Sequence, residues 1–523
     1  MRAAVPLLSI AGDYDMGAMV VLTGSHLKIE DVAGVARGGE MVTLAAEAID
    51  RMRASRAIVE RLAEGEAPVY AVNTGFGYLA SERIPHEDLA ELQQNLLRSH
   101  ACGVGEPLAV ETVRAMLLIR ANVLAKGLSG IRPAIAERLC EMLNHGVTPV
   151  VPARGSVGAS GDLAPLAHMA LVLTGEGEAF VNVGSERRRL PGAEAMCAAG
   201  LEPIQLGPKE GISLVNGTQA MLSLGILALL DLEDLCEVAD AACALSLDAL
   251  RGTPKAFDAR IHEARPHPGQ QASAALLDAL LVGSEIRQTH ATCPRVQDAY
   301  SLRCAPQVHG AVRDTVAEAR RLFAIELNAA TDNPLVFGEE ILSGGNFHGE
   351  HLAFQCDFLA VALTALGGIS ERRTDRLLNP SFNEGLPPFL AGHPGLESGH
   401  MMLQVTASAL LAECRVLATP ASPCSVPTSG NKEDFVSMGM TAALKLRQAT
   451  EHLRAILAIE LLCATQALES LRPLKTGARL EKLRAAFLEV CPPRKTDTPL
   501  HEDLRRACEW LSGWRTRRNA WCA

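Results

Sequence analysis

Long Ala- and Leu-rich segments constrain this chain more than any other feature. Val110–Lys126, Ala220–Asp248, Ala311–Asn328, His351–Leu377, Met401–Leu417 and Ser437–Leu471 all carry apolar residues at helical spacing. Several are apolar on more than one face, which places them centrally in a bundle or an oligomer. Aromatic residues make up 4% of the chain, and strand-like alternation is scarce. A short strand at Val20–Thr23 or Leu27–Ile29 is expected to open the fold. The pattern therefore predicts a mainly α-helical protein with its Gly, Pro and Asn residues in the loops. It divides into an N-terminal extension (1–18), a loop-richer N-terminal region (19–225), a central helical bundle (226–475) and a C-terminal helical cap (476–523). Trp510, Trp514 and Trp521, all the tryptophans of the chain, fall in the cap.

Bulk properties exclude several roles. With 523 residues, 48% hydrophobic, and a net charge of −11, the chain is mildly acidic. The basic cluster Arg515-Thr516-Arg517-Arg518 is expected to be a solvated terminus, so nucleic-acid binding is not predicted. The 14 cysteines include no Cys-x-x-Cys pair. Cys236, Cys243, Cys356 and Cys463 sit in apolar helical stretches, which predicts reduced, buried thiols and a cytoplasmic protein without a metal site. In Met1–Leu22 the apolar run Ala3–Ala11 is short for a signal peptide and lacks a convincing cleavage site, so the segment reads as a loose extension, or as sequence upstream of a start at Met16 or Met19. Ala220–Leu230 and Phe358–Ile369 are expected to be too short to span a membrane.

The chemistry concentrates in Gly155-Ser156-Val157-Gly158-Ala159-Ser160-Gly161-Asp162-Leu163-Ala164-Pro165-Leu166. Gly161 nitrogen can attack the carbonyl carbon of Ala159 only if the neighbouring side chains are very small, and glycine reaches the backbone angles required. Loss of water from that ring, and of the Ser160 hydroxyl, leaves an exocyclic methylene conjugated to a carbonyl, a strong electrophile. Asp162 is a good helix-start residue before the apolar run Leu163–Leu173. A helix there points its positive end at the tripeptide.

The stretch Gly155–His168 resembles the signature of the histidine/phenylalanine ammonia-lyase family, and the likeness extends from about Leu22 to Leu504. It implies a long helical bundle of the ammonia-lyase/fumarase-like type, a homotetramer with sites shared between three subunits, and no external cofactor. The Gly-Ser-Ser-rich loop of fumarases is not found. In this family Ala159, Ser160 and Gly161 would become 4-methylidene-imidazol-5-one (MIO), whose methylene takes the substrate amine. Tyr70-Ala71-Val72-Asn73-Thr74-Gly75-Phe76-Gly77 resembles the mobile loop whose tyrosine is the base, so Tyr70 would take the β-proton with a pKa lowered by the site. Ala71 stands where the family usually has Gly.

Further patches carry over in the same way. Leu214-Val215-Asn216-Gly217-Thr218 matches the Asn-Gly-Thr motif, and Asn216 would hold the substrate carboxylate or the MIO carbonyl. Gln297-Asp298-Ala299-Tyr300-Ser301-Leu302-Arg303 resembles Gln-Asp-Pro-Tyr-Ser-Leu-Arg. There Arg303 offers a planar fork to a carboxylate, Tyr300 relays a proton, and Gln297 contacts substrate. Ser343-Gly344-Gly345-Asn346-Phe347-His348 would pack Phe347 beside substrate and MIO. Thr331-Asp332-Asn333-Pro334 resembles a structural turn.

Ser99-His100 occupies the selectivity pair, and Ser-His there resembles histidine lyases, though tyrosine-acting members share it. Glu413 is expected near the substrate ring as a partner for an imidazole, with Arg415 or Lys432 as its alternative salt-bridge partners. The histidines of Arg260–Gln270 and Ser284–His290 resemble those of histidine lyases and read as supporting or interface groups. Asn431-Lys432-Glu433-Asp434-Phe435-Val436-Ser437-Met438 departs from the histidine-lyase pattern, with Lys432 for Gln and Phe435 for His; His309 replaces a usual Met. The resemblance implies elimination of ammonia from L-histidine to trans-urocanate. A tyrosine or other aromatic lyase, a 2,3-aminomutase, and an inactive structural member are the alternatives.

Overall fold

In the computed structural model, which describes residues 19–292 and 295–518, every expected long helix forms. Leu163–Leu173 and Met401–Leu417 have the expected bounds. The others become Val110–Ala125, Gln219–Ala249, Ala305–Glu326, Glu350–Leu378 and Gly439–Glu469. Ala305–Glu326 begins earlier than its apolar pattern because Pro306 suits a first turn, where its missing N–H has no helical partner to lose. The mainly α fold is observed. The N-terminal extension and Trp521 lie outside the described residues.

Strands are few. Met19–Leu22 forms, in parallel with Met41–Leu44, whereas Leu27–Ile29 is no strand, because Ile29 starts the short helix Ile29–Ala33. An antiparallel hairpin, Glu178–Val183 with Glu186–Pro191, has no counterpart among the sequence expectations. Its outer strand, Glu186-Arg187-Arg188-Arg189, is charged at successive positions and carries no alternation to read.

The described residues divide into two compact, discontinuous units. One comprises the chain to Leu227, Arg321–Cys356 and Ala421–Leu444; the other comprises Ala228–Arg320, Asp357–Pro420 and the chain from Lys445. In the first, Val110–Ala125 is buried along nearly its whole length, including Arg120 and Asn122, and packs on Pro133–Asn144. Leu163–Leu173 packs on Leu89–His100 and Glu210–Val215.

In the second unit, Phe487, Trp510 and Trp514 meet edge to face at 5.2 and 5.9 Å. The terminal basic cluster is not freely solvated as expected. Arg515 pairs with Asp234 at 3.1 Å and Arg518 with Glu237 at 2.5 Å. The acidic face of the helix that carries Asp234 and Glu237 supplies the partners. Glu350–Leu378 corrects another expectation. It extends the apolar run Phe358–Ile369 into a helix long and apolar enough to cross a membrane by length and composition, but 56% of its apolar window is buried. It also ends in Glu371, Arg372 and Arg373, all ion-paired. Cys236, Cys243, Cys356 and Cys463 are buried and in no disulfide, whereas Cys102, Cys197 and Cys424 are exposed. No cluster of potential metal ligands occurs among the described residues.

Candidate active site

Backbone geometry brings the tripeptide against the Asn-Gly-Thr turn in the first unit. Gly161 (φ +79°) and Gly217 (φ +152°) face each other as a parallel bridge. A Cβ on Gly161 would lie 2.1 Å from the Gly217 oxygen, and one on Gly217 would lie 2.6 Å from Arg120 Nη1. Neither position admits a methyl group, so both glycines are required by space as well as by φ. The Asp162 N–H donates to the Gly217 carbonyl at 2.7 Å, which locks the two loops together.

Around Ser160 the polar groups converge. Asn216 Nδ2 donates to the Ser160 carbonyl at 3.0 Å, favouring the ring-carbonyl role over the carboxylate role for Asn216. Asn216 Oδ1 is buried without a hydrogen-bond partner. The Ser160 hydroxyl donates to Glu433 Oε1 at 2.6 Å, and Glu433 Oε2 accepts from Thr428 Oγ1 at 2.7 Å. Behind the turn, fully buried Arg120 donates to the Asn216 carbonyl at 2.8 Å and to Gln219 Oε1 at 2.9 Å. Burial lowers its pKa to about 10. Lys209 pairs with Asp332 at 3.3 Å, giving the Asp-Asn-Pro turn its buried anchor.

Asp162 precedes Leu163–Leu173 without capping it through its side chain. Its carboxylate instead accepts from the Met221 N–H at 2.8 Å and from Ser156 Oγ at 2.9 Å. It thus satisfies the start of the helix Gln219–Ala249. Burial pushes its pKa up to about 6, against these hydrogen bonds.

Three further segments close on the tripeptide loop. Ser437 Oγ donates to the Gly158 carbonyl at 3.0 Å and the Met438 N–H to the Val157 carbonyl at 2.8 Å. Phe435 stacks on His348 at 6.0 Å, which places this departure next to the Gly-Asn-Phe-His patch; Phe347 is half-buried there. The Gly103 N–H donates to His168 Nε2 at 3.0 Å, tying the segment after His100 to the helix that follows the tripeptide.

His100 Nδ1 lies 2.9 Å from the Leu96 carbonyl. A carbonyl only accepts, so Nδ1 carries the proton and Nε2 is left as an acceptor. Burial lowers its pKa, with the Leu96 bond and the Glu433 charge acting in the other direction. Tyr70 is half-buried in a loop where Ala71 adopts φ +61°. Contrary to the sequence expectation, its pKa is raised. Burial is the largest cause and the Glu433 charge adds to it, while the Gly77 N–H opposes both.

The second unit holds the rest of the predicted residues. Gln297 is exposed, and Tyr300 is 70% exposed. The Arg303 guanidinium stands 4.6 Å over the Tyr300 ring, with its Nε buried and without a hydrogen-bond partner. Arg373 donates to the Ser301 carbonyl at 3.3 Å and forms a fully buried pair with Glu460 at 2.6 Å. His309, the Met replacement, is buried against Asp240 at 2.7 Å. His262 is likewise structural, lying 3.0 Å from both the Ala256 carbonyl and Gln270 Nε2.

Glu413 Oε2, in the second unit, lies 3.0 Å from His452 Nε2, so a histidine rather than Arg415 or Lys432 stands against it. The carboxylate that touches the tripeptide is Glu433. It sits between the two departures Lys432 and Phe435, and a carboxylate in a turn gives no periodic signal. Its one sequence cue is that it shares a loop motif with residues that reach the tripeptide loop.

Comparison with known proteins agrees with this geometry. The aromatic amino acid lyase family model matches residues 27–489. Histidine ammonia-lyase of Koribacter versatilis is 55% identical over 93% of this chain and 96% of the relative. That of Myxococcus xanthus is 52% identical over 93% and 95%. Among solved structures, histidine ammonia-lyase from Trypanosoma cruzi superposes with TM-score 0.88 at 41% identity, covering 95% of each chain. Tyrosine aminomutase from Streptomyces globisporus gives TM-score 0.90 at 39% identity, covering 96% of this chain and 98% of that one. The chain belongs to the aromatic amino acid lyase family and is a carbon–nitrogen lyase.

Proposed function

We propose that this chain is a histidine ammonia-lyase that eliminates ammonia from L-histidine to give trans-urocanate. The observation that carries the reading is the convergence on Ser160 of the Asn216 amide and the Glu433 carboxylate, between paired glycines with no room for a side chain. This cradle fits an MIO group made from Ala159, Ser160 and Gly161: Asn216 would hold the ring carbonyl, and the close Gly161–Gly217 contact admits no side chain beside the ring. The group supplies an electrophilic methylene for the substrate amine. No external cofactor or metal is needed in this reading.

The protein's own residues do the remaining work. Tyr70, as phenolate, takes the proton from the substrate β-carbon. Burial and the Glu433 charge raise its pKa, so the free enzyme holds it as the neutral phenol. Arg303 and Gln297 orient the carboxylate, Tyr300 relays a proton, and Phe347 walls the ring. His100 presents Nε2 as an acceptor to the imidazole N–H, and Glu433, whose charge reaches both Tyr70 and His100, takes the ring-side role expected of Glu413. Residues 19–225 carry the electrophile, 226–475 the substrate-orienting helices and 476–523 a cap. The reading includes a cytoplasmic homotetramer acting on a free amino acid, with subunits completing one another's sites.

Purified protein incubated separately with L-histidine, L-tyrosine and L-phenylalanine tests this. Histidine should give urocanate fastest. His100→Phe should lower kcat/KM for histidine by about 10- to 100-fold, the worth of one charge-assisted or buried hydrogen bond, and much less for phenylalanine. Equal losses on all substrates would remove the histidine assignment. A second reading, an aromatic lyase or 2,3-aminomutase acting on tyrosine, is favoured by Phe435 stacked at the site rim. A β-amino acid product from tyrosine would establish it. An inactive structural role would show as no turnover of any of the three.

A further inference from the structure

We propose that Glu433 is the proton donor that expels the Ser160 hydroxyl when the Ala159-Ser160-Gly161 tripeptide dehydrates. The proposal rests on the reading above that this tripeptide cyclises.

Hydroxide is a poor leaving group, so losing water from a serine side chain requires a proton on Oγ as the Cβ–Oγ bond breaks. Glu433 Oε1 lies 2.6 Å from Ser160 Oγ, within reach for that transfer. Its orientation is held at both ends. Thr428 Oγ1 occupies the far oxygen at 2.7 Å, and the Thr428 N–H donates to the Glu433 carbonyl at 2.8 Å, closing a turn between the two residues. The other acid beside the tripeptide, Asp162, is engaged by Ser156 and Met221 instead.

The second requirement is an acidic Ser160 Cα–H. Asn216 Nδ2 on the Ser160 carbonyl stabilises the negative charge that gathers on that oxygen as the proton leaves. Asn216 and Glu433 thus address the two ends of one elimination. The step balances. The Cα–H electron pair becomes the Cα–Cβ π bond, and the Cβ–Oγ pair leaves with oxygen. The Cα proton reaches the Glu433 carboxylate through solvent, and Glu433 delivers it to that oxygen, which departs as water and leaves Glu433 a carboxylate again. The other water derives from Ala159, whose carbonyl oxygen is lost when Gly161 nitrogen closes on its carbon. Nothing is oxidised or reduced.

Intact mass of the full-length protein reads this directly, without reference to turnover. Wild type should be two waters lighter than its sequence, and Ser160→Ala, which has no hydroxyl to lose, should be lighter by at most the one ring-closure water. Glu433→Gln, with wild-type circular dichroism and assembly state, should lose the Ser160 water at least about 100-fold more slowly, the usual worth of a positioned acid. Formate added to Glu433→Ala should restore the loss. Thr428→Val keeps the carboxyl but frees its far oxygen, and should slow dehydration by about tenfold, consistent with one lost hydrogen bond. This variant carries the test if Glu433 variants fail to fold. Glu433→Gln or Thr428→Val dehydrating at the wild-type rate would overturn the proposal and leave the lyase reading standing. A wild-type chain that keeps both waters would overturn the reading and the proposal together.

Discussion

Ser160 and Tyr300 are both hydroxyl side chains near helix starts, Ser160 in the loop before Leu163–Leu173 and Tyr300 as the first residue of a short helix, yet their surroundings differ completely. Ser160 has its hydroxyl on Glu433 and its carbonyl on Asn216, and stands beside a glycine pair that excludes a single methyl group. Tyr300 is 70% exposed, with the Arg303 guanidinium over its ring. The support on its side is to the backbone: buried Arg373, paired with Glu460, grips the Ser301 carbonyl. Closing a ring from three residues would demand a fixed near-attack geometry, and the first unit holds Ser160 by contacts of its own. Recognising a carboxylate demands presented donors, and the second unit displays them on a braced backbone. In the proposed reading, one region transforms itself and the other receives a ligand.

The sharpest way to break this comparison is Ser160→Ala. It should lower kcat by at least about 10²–10³-fold, the loss seen when a principal transition-state stabiliser is removed, while substrate binding through the second unit persists. Equilibrium binding of histidine to the variant checks the second half of the claim. Near-wild-type turnover would mean that the tripeptide is ordinary loop.

Tyr70→Phe should come next, with kcat down about 10²–10⁴-fold and the mass loss intact, since only the phenolic oxygen goes. The pH dependence has a definite sign. The base is the deprotonated phenol, and burial sets its pKa above the ordinary 10.0. In the free enzyme, kcat/KM should therefore rise with pH through the neutral and mildly alkaline range. A profile that falls over that range in wild type would remove Tyr70 as the base.

Glu460→Gln probes the braced side. It leaves Arg373 buried with its charge uncompensated, which costs about 3–5 kcal/mol of stability, read by urea unfolding. Where the variant remains folded, KM should rise for every amino acid substrate alike, because the Ser301 backbone and Arg303 lose their support. Dehydration of Ser160 should be unchanged. A variant that keeps its stability and KM but loses dehydration would invert the proposed division of labour.

The smallest effect is expected at Ala71. Its left-handed conformation (φ +61°) costs a non-glycine residue roughly 1–2 kcal/mol, partly offset by the greater freedom of an unfolded glycine. Ala71→Gly should therefore stabilise the Tyr70 loop by about 1 kcal/mol or less, measured as a small rise in Tm. Clear destabilisation would show that the Ala71 methyl, which is buried, packs well enough to outweigh the strain.

Much of this molecule is legible in the chain alone. The long helices follow from apolar residues at 3.6-residue spacing, a local pattern that survives without knowledge of neighbours. The tripeptide stands out by side-chain size, because Ala-Ser-Gly is one of few tripeptides small enough for the backbone to close on itself. What the chain could not disclose depends on partners distant in sequence. The Tyr70 pKa moves up rather than down because burial and the Glu433 charge, neither visible locally, outweigh the Gly77 N–H. Asp162 sits at a helix start but spends its carboxylate on Met221, 59 residues away. Glu413 lies in an apolar helix and Glu433 in a loop beside Asp434, and neither pattern says which side chains it will meet. Tertiary structure alone carried Glu433 across 273 positions to the Ser160 hydroxyl and left Glu413 beside His452. Periodicity determines which segments become helices, because backbone hydrogen bonding and side-chain spacing are local. Which carboxylate meets the electrophile is decided only when loops far apart in the chain are packed together.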